Sequence, residues 1–149
     1  MLILGLGNFD RSDDAAGLLV ARRLRELGVP AREDPGEPLA LLEAWSGEPE
    51  VIVVDAVVSG RPVGTIGIWN ARTTPMPAGV VRGSTHGLGL AEAIELGRAL
   101  GRLPHRMTVY GIEGACFDFG ARASPAVVAS VEQVAQHIAA RAAPSAGSV

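Results

Sequence analysis

An unbroken apolar run at residues 51–54, followed by Asp55, constrains the fold more than any other feature of this chain. A strand with one face in water alternates apolar and polar residues, so a run without polar residues predicts a strand buried on both faces. Such strands belong to parallel sheets that helices cover on both sides. Consecutive parallel strands need long crossover connections, so helices should lie between them.

The rest of the chain has the alternation of strands and helices that a parallel sheet requires. We therefore predict an α/β fold, a three-layer sandwich in which helices cover both faces of a mostly parallel, twisted sheet. One domain is expected over residues 1–141, with a disordered tail at 142–149. The predicted strands are 2–5, 31–33, 51–55, 64–69 (near an edge) and 107–112, and the predicted helices are 14–27, 39–45, 87–100 and one that begins at Ser124-Pro125.

Composition and charge argue against several kinds of partner. No stretch of about 18 apolar residues is present, so no membrane span is expected. All 13 basic residues are scattered arginines and the net charge is −3, without the basic stripe that nucleic-acid binding needs. The chain opens on Leu-Ile-Leu-Gly without a basic segment, which predicts no signal peptide. Together with a single cysteine, Cys116, this favours a cytoplasmic location.

Residues 5–17, with the sequence GLGNFDRSDDAAG, form a glycine turn between the first predicted strand and helix. Turns of this kind usually bind phosphate at the helix N-terminus. Here, however, the turn carries Asp10, Asp13 and Asp14, which would repel a pyrophosphate, and Asp10 replaces the third glycine of the dinucleotide fingerprint. The turn therefore favours a cation over a nucleotide, and we expect no organic cofactor.

Three side chains are predicted to meet at the carboxyl edge of the sheet, where α/β proteins bind their ligands. Asp14 follows the first strand, Asp55 is expected to end the strand at 51–55, and His86 precedes the helix at 87–100. An imidazole at a helix start tends to stay neutral, and a neutral imidazole binds metals. Two carboxylates and an imidazole make a transition-metal site with open positions for a substrate.

Other acidic, histidine and cysteine residues have ordinary explanations. Asp13 can cap the first helix and oppose its dipole, and an equivalent cap at the strand end is the alternative for Asp55. His105 and His137 are expected to be hydrogen-bonded surface residues, which is also the alternative for His86. Cys116 lacks any local signature of a nucleophile and is expected to be a packing residue.

The order of these motifs resembles the hydrogenase maturation endopeptidases, which trim the C-terminus of a nickel–iron hydrogenase large subunit. The resemblance extends to about Ile138. The matching positions are Gly5-Leu6-Gly7-Asn8, Asp13-Asp14, Gly17, Asp55 at the end of an apolar strand, His86-Gly87-Leu88 and Gly111-Ile112-Glu113. Each motif is modest by itself, but their order and spacing are specific.

The resemblance implies an endopeptidase that acts on the nickel-loaded precursor of a hydrogenase large subunit. It also implies a catalytic, metal-binding site made of Asp14, Asp55 and His86. The nickel would be carried by the precursor and would serve as the recognition element, so that only a loaded precursor is cut. Members of this family mostly act as monomers, and a monomer is expected here.

The sequence departs from the family pattern at two places, and two alternative functions are open. Ala15 stands where many members have Gly, and Asp34-Pro35-Gly36-Glu37 stands where the family often has Asp-Gly-Gly-Thr. A peptidyl-tRNA hydrolase also begins with a strand and Gly-Leu-Gly-Asn, but its motif continues with Pro-Gly, whereas Phe9-Asp10 follow here. The remaining alternative is a metal-dependent binding module that does not cleave.

Overall fold

A computed structural model describes residues 1–75 and 89–143 of the chain. Strands and helices alternate in the predicted order. The strands are β1 (Leu2–Leu6), β2 (Arg32–Asp34), β3 (Glu50–Val57), β4 (Ile66–Asn70) and β5 (Arg106–Glu113). The α-helices are α1 (Ala16–Glu26), α2 (Pro38–Trp45), α3 (Gly89–Ala99) and α4 (Pro125–Ala142), and a 3₁₀ turn, Ser12–Ala15, precedes α1.

The five strands form one sheet in the order β2-β1-β3-β5-β4. All neighbours are parallel except β4, which runs antiparallel to β5 at the edge. The predicted mostly parallel sheet, with its short strand near an edge, is thus confirmed. After β1 the chain adds β2 on one side and then returns to add β3 on the other side. The carboxyl ends of β1 and β3 therefore flank the switch point at which such sheets bind ligands.

Alternating residues of the central strands supply two separate cores, one on each face of the sheet. On one face Ile52 and Val54 pack with apolar side chains of α1 and α4. On the other face Val51 and Val53 pack with those of α2 and α3. The apolar run that begins β3 is buried on both sides because each face has its own pair of helices. The three-layer sandwich is confirmed.

Two elements near the carboxyl edge differ from the sequence prediction. The first helix was expected from residue 14, but the chain forms the 3₁₀ turn first and α1 begins at Ala16. The first N–H groups of a helix have no partner within it, and the Asp13 N–H donates to the Cys116 carbonyl at 2.9 Å. Strand β3 was expected to end at Asp55 but continues to Val57, because Ala56 and Val57 pair with Ile112 and Glu113 of β5.

Candidate functional site

The glycine turn after β1 holds the start of α1 directly against the sheet. Gly7 has a φ of +146°, and a Cβ there would lie 1.9 Å from the Asp14 carbonyl oxygen. A Cβ on Gly17 would lie 2.3 Å from the carbonyl oxygens of both Leu6 and Val54. The glycines thus serve close backbone packing, with α1 beginning against the ends of β1 and β3.

This packing brings the elements that carry Asp14 and Asp55 into contact. Asp55 directly follows Val54, against which Gly17 packs, and Asp14 lies one helical turn before Gly17. The 3₁₀ turn itself packs against β3. Asp14 is fully buried and Asp55 is 2% exposed. Two acidic residues therefore lie buried on neighbouring elements at the switch point of the sheet.

Asp55 lies within β3 and does not end it. Its position in the ladder is opposite Gly111 of β5, and two further residues of β3 follow it. The Asp55 carboxylate accepts a hydrogen bond from the Ala56 N–H at 2.9 Å. The prediction that Asp55 ends its strand is therefore wrong by two residues, although its place near the carboxyl end of β3 is correct.

Asp13 differs from its neighbour Asp14, because its carboxylate bonds to a distant part of the chain. It accepts hydrogen bonds from the Ala115 and Cys116 N–H groups at 2.9 and 3.0 Å. It also accepts from the Ser124 N–H at 2.6 Å and from the Ser124 hydroxyl at 2.8 Å. The interpretation of Asp13 as a cap of its own helix is wrong, because these donors belong to the segment between β5 and α4.

These hydrogen bonds also set the protonation of Asp13. Burial by itself would raise the pKa of this carboxyl. The backbone N–H groups of Ser124, Ala115 and Cys116 and the Ser124 hydroxyl outweigh burial, so the pKa of Asp13 is lowered from its ordinary value. Asp13 is therefore a charged acceptor fixed inside the structure. Sequence reasoning missed this role because its donors lie about 100 positions along the chain.

The four residues of the 3₁₀ turn face different surroundings. Ser12 and Ala15 line an open groove of about 590 Å³, between Phe9 on one side and Val128 of α4 on the other. The lining of this groove is mostly apolar. The Asp13 carboxylate instead faces the segment between β5 and α4, as described above. Ser12 and Ala15 thus line the groove, whereas the two acids of the turn do not.

One predicted site residue remains, His86, together with a histidine and a cysteine that were expected to have ordinary roles. His86, with the predicted helix start at Gly87, lies outside the described residues. His137 is an exposed residue of α4 whose Nδ1 lies 2.9 Å from the Tyr110 hydroxyl, as expected for a hydrogen-bonded surface histidine. Cys116 is half-buried, with its Sγ 3.7 Å from an Asp118 carboxylate oxygen.

The described residues contain neither a cluster of metal-binding side chains nor a membrane-spanning helix. Within residues 1–75 and 89–143, no three or more His, Cys, Asp or Glu side chains are grouped so that they could hold a metal ion. Asp14 and Asp55 provide two acids, and His86, whose imidazole is predicted to join them, lies outside these ranges. In the same ranges, none of the helices has the length and apolarity needed to cross a bilayer.

The fold and the two buried acids define a doubly wound α/β protein with an acidic site at its switch point. A family model described as hydrogenase maturation protease matches residues 36–141. The chain therefore belongs to the hydrogenase maturation protease family. The resemblance seen in the motifs is confirmed, and the peptidyl-tRNA hydrolase alternative is set aside.

Individual relatives agree with this assignment. The hydrogenase expression/formation protein HupD of Rhodobacter capsulatus is 30% identical over 138 residues, which cover 89% of this chain and 66% of HupD. The chain thus spans about two thirds of the length of that relative.

Solved structures of maturation proteases share the fold. The hydrogenase maturating endopeptidase HybD of E. coli superposes with a TM-score of 0.77 at 25% identity, covering 94% of this chain and 90% of HybD. The nickel–iron hydrogenase maturation protease HybD of Thermococcus kodakarensis gives a TM-score of 0.74 at 26% identity, covering 95% and 98%.

Proposed function

We propose that this protein is an endopeptidase that removes a C-terminal peptide from the large-subunit precursor of a nickel–iron hydrogenase. The observation that carries the proposal is the pair of buried acids, Asp14 and Asp55, on packed elements at the switch point of a maturation-protease fold. A cation brought by the substrate is a partner of the right charge for such a site.

Asp14, Asp55 and His86 are proposed to be the residues that meet the metal and to carry the cleavage reaction. Carboxylate oxygens and an imidazole nitrogen are ligands that divalent first-row metals such as nickel accept. In this proposal the nickel belongs to the precursor, and its coordination by these residues presents the nearby peptide bond for hydrolysis. A precursor without nickel would then lack the contact that holds it in place.

The proposal includes the cellular setting. The partner is the hydrogenase large-subunit precursor, met by a monomer of this protein in the cytoplasm, and neither nucleic acid nor membrane takes part. The net charge of −3 supports the exclusion of nucleic acid, because a polyanion would be repelled. The folded unit responsible is residues 1–141.

Mass spectrometry of the precursor after incubation tests the proposal. Nickel-loaded precursor should lose its C-terminal peptide, and the same precursor prepared without nickel should stay intact. Cleavage of both forms equally would contradict nickel recognition. Precursor that binds but is never cut would identify the protein as a binding module.

Two histidine variants provide a matched test of the proposed site. His86→Ala should abolish cleavage of the nickel-loaded precursor, because it removes the only proposed imidazole ligand. His105→Ala makes the same change at an exposed position just before β5 and should cleave normally. Circular dichroism checks that both variants are folded. Normal cleavage by His86→Ala would remove His86 from the site.

A further inference from the structure

The 3₁₀ turn that carries Asp14 is held to the segment between β5 and α4 by several hydrogen bonds. The Asp13 carboxylate takes four donors from Ala115, Cys116 and Ser124. The Asp13 N–H donates to the Cys116 carbonyl at 2.9 Å, and the Ser12 hydroxyl donates to the Arg122 carbonyl at 2.8 Å. The two residues before Asp14 are therefore bound to another part of the chain through both backbone and side chain.

Asp14 is held from the other direction by the glycine turn. The Asn8 N–H donates to the Asp14 carbonyl at 3.1 Å, and Gly7 lies against the same carbonyl. With Asp13 fastened on one side and the Asn8 bond on the other, the backbone of Asp14 has little freedom to shift. A carboxylate that must meet a metal at a defined distance requires this kind of support.

The chemistry of the Asp13 contacts shows why an acid is required there. All four bonded groups are N–H or O–H donors, so the position needs an acceptor with two oxygens. An asparagine would replace one oxygen with an NH₂ group that faces donors. That substitution would push apart the turn and the segment it binds, although it preserves the shape of the side chain.

We propose that Asp13 is a positioning residue, which holds the 3₁₀ turn so that Asp14 stands at the geometry the proposed reaction needs. The inference rests on the proposed function, because it assigns Asp13 a share in the same site. Asp13 touches neither metal nor peptide in this proposal. Its effect is transmitted through the backbone that it shares with Asp14.

The kinetics of precursor cleavage test this role, with rates calculated from the concentration of folded protein. Asp13→Asn should lower kcat by about 10-fold or more, since small misplacements of a reacting group have large effects, while KM stays within about threefold of wild type. The matched control is Ser130→Ala, which deletes a buried hydroxyl on α4 that bonds to the Gly64 and Ala126 carbonyls, away from the turn. Ser130→Ala should lose stability yet keep the wild-type kcat.

A smaller fall in kcat, or an equal fall in Ser130→Ala, would show that Asp13 contributes only to general stability and would overturn the proposal. Ser124→Ala covers the case in which Asp13→Asn does not fold. It removes one of the four donors and leaves the three N–H groups, so kcat should fall about threefold to tenfold in a folded protein. An unchanged kcat in Ser124→Ala would then overturn the proposal.

Hydrogen exchange separates this inference from the proposed function. Residues 8–15 should exchange faster in Asp13→Asn or Ser124→Ala than in wild type, and at the wild-type rate in Ser130→Ala. If wild type fails to cleave the precursor although this exchange pattern is found, the proposed function fails while the fastening role of Asp13 stands. If exchange in residues 8–15 is unchanged in the variants that fold, the positioning role is wrong whatever the cleavage result.

Discussion

At the scale of single residues, the acidic pair Asp13-Asp14 shows how neighbouring identical side chains acquire different roles. Both are buried in the same short turn. The carboxylate of Asp13 is saturated by donors from the segment between β5 and α4. The same turn packs against β3, which carries Asp55, and Asp14 is the acid of the turn that is proposed for the site. The surroundings of each side chain, and not its residue type, separate a structural acid from a candidate metal ligand.

Asp55→Asn is the most direct residue-scale test of the proposed site. The amide keeps the size of the side chain and can still accept from the Ala56 N–H, but it loses the charge that attracts a cation. We expect kcat/KM for nickel-loaded precursor to fall about 100-fold or more, since even outer-shell changes at metal sites cost 10- to 100-fold. Glu50→Gln makes the same acid-to-amide change at the start of β3 and should cleave normally. Glu50 Oε2 lies 3.7 Å from Arg141 Nη2. Equal activity of the two variants would exclude Asp55 from the proposed site.

Cys116→Ala tests the alternative of thiol chemistry. The bonds that join Cys116 to Asp13 use its backbone N–H and carbonyl, so they survive the substitution. Cleavage should therefore stay within about twofold of wild type, with a loss of at most about 1 kcal/mol in the free energy of unfolding. Loss of cleavage in a folded Cys116→Ala protein would indicate a nucleophilic thiol.

At the scale of elements, the site depends on how closely α1 approaches the sheet. The absence of a side chain at Gly17 lets the helix backbone touch the carbonyl oxygens of Leu6 and Val54. This contact places the turn before α1 beside β3, so the elements that carry the two acids are neighbours because a helix and two strands pack at backbone distance. Glycines in this pattern often indicate phosphate binding. In this protein they allow the helix to pack closely against the sheet.

Gly17→Ala should separate α1 from the sheet. Its Cβ would lie 2.3 Å from two backbone oxygens that cannot rotate away, so we expect a loss of about 2 kcal/mol or more in the free energy of unfolding. In Gly97→Ala, the matched change in α3, the nearest atoms are Leu103 Cδ2 and Leu42 Cδ1, which are side-chain ends that can move. Alanine also has a higher helix propensity than glycine, so the free energy of unfolding of Gly97→Ala should stay within about 1 kcal/mol of wild type. Urea denaturation measures both, and equal effects would contradict close packing at Gly17.

At the scale of the whole molecule, three segments distant in sequence depend on one another. The 3₁₀ turn packs against β3, and the hydrogen bonds of Asp13 join the same turn to the segment between β5 and α4. A buried charge at such a junction makes the stability of the entire domain depend on pH. The sign of that dependence follows from the lowered pKa of Asp13.

A carboxyl whose pKa is lower in the folded state stabilises the fold above its unfolded pKa, here near 3.8, and loses that contribution as the pH falls through the folded value. At neutral pH wild type should therefore exceed Asp13→Asn by about 1–3 kcal/mol in the free energy of unfolding. The difference should shrink as the pH falls below about 4. Urea unfolding in the presence of a chelator measures it, and a difference independent of pH would show that the Asp13 charge has no part in stability.

Much of the architecture could be predicted because it depends on local pattern. The apolar run before Asp55 requires burial on both faces, and the alternation of strands and helices then leaves a parallel sheet between helix layers. The family could be recognised from motif order alone. The approximate positions of Asp14 and Asp55 followed as well, because carboxyl ends of parallel strands share one edge.

Other features could not be predicted because they depend on contacts between residues far apart in sequence. The role of Asp13 requires donors from residues 115, 116 and 124, and no local rule relates those positions to residue 13. The end of β3 depends on pairing with β5, and the Asp13 N–H in the 3₁₀ turn bonds to the carbonyl of Cys116, also a residue far along the chain. The sequence by itself determined the layers and the chemical types at the site, through burial and periodicity. Only the tertiary structure decided that Asp13 is held by a distant segment, because hydrogen-bond partners are assigned by the packing of the whole chain.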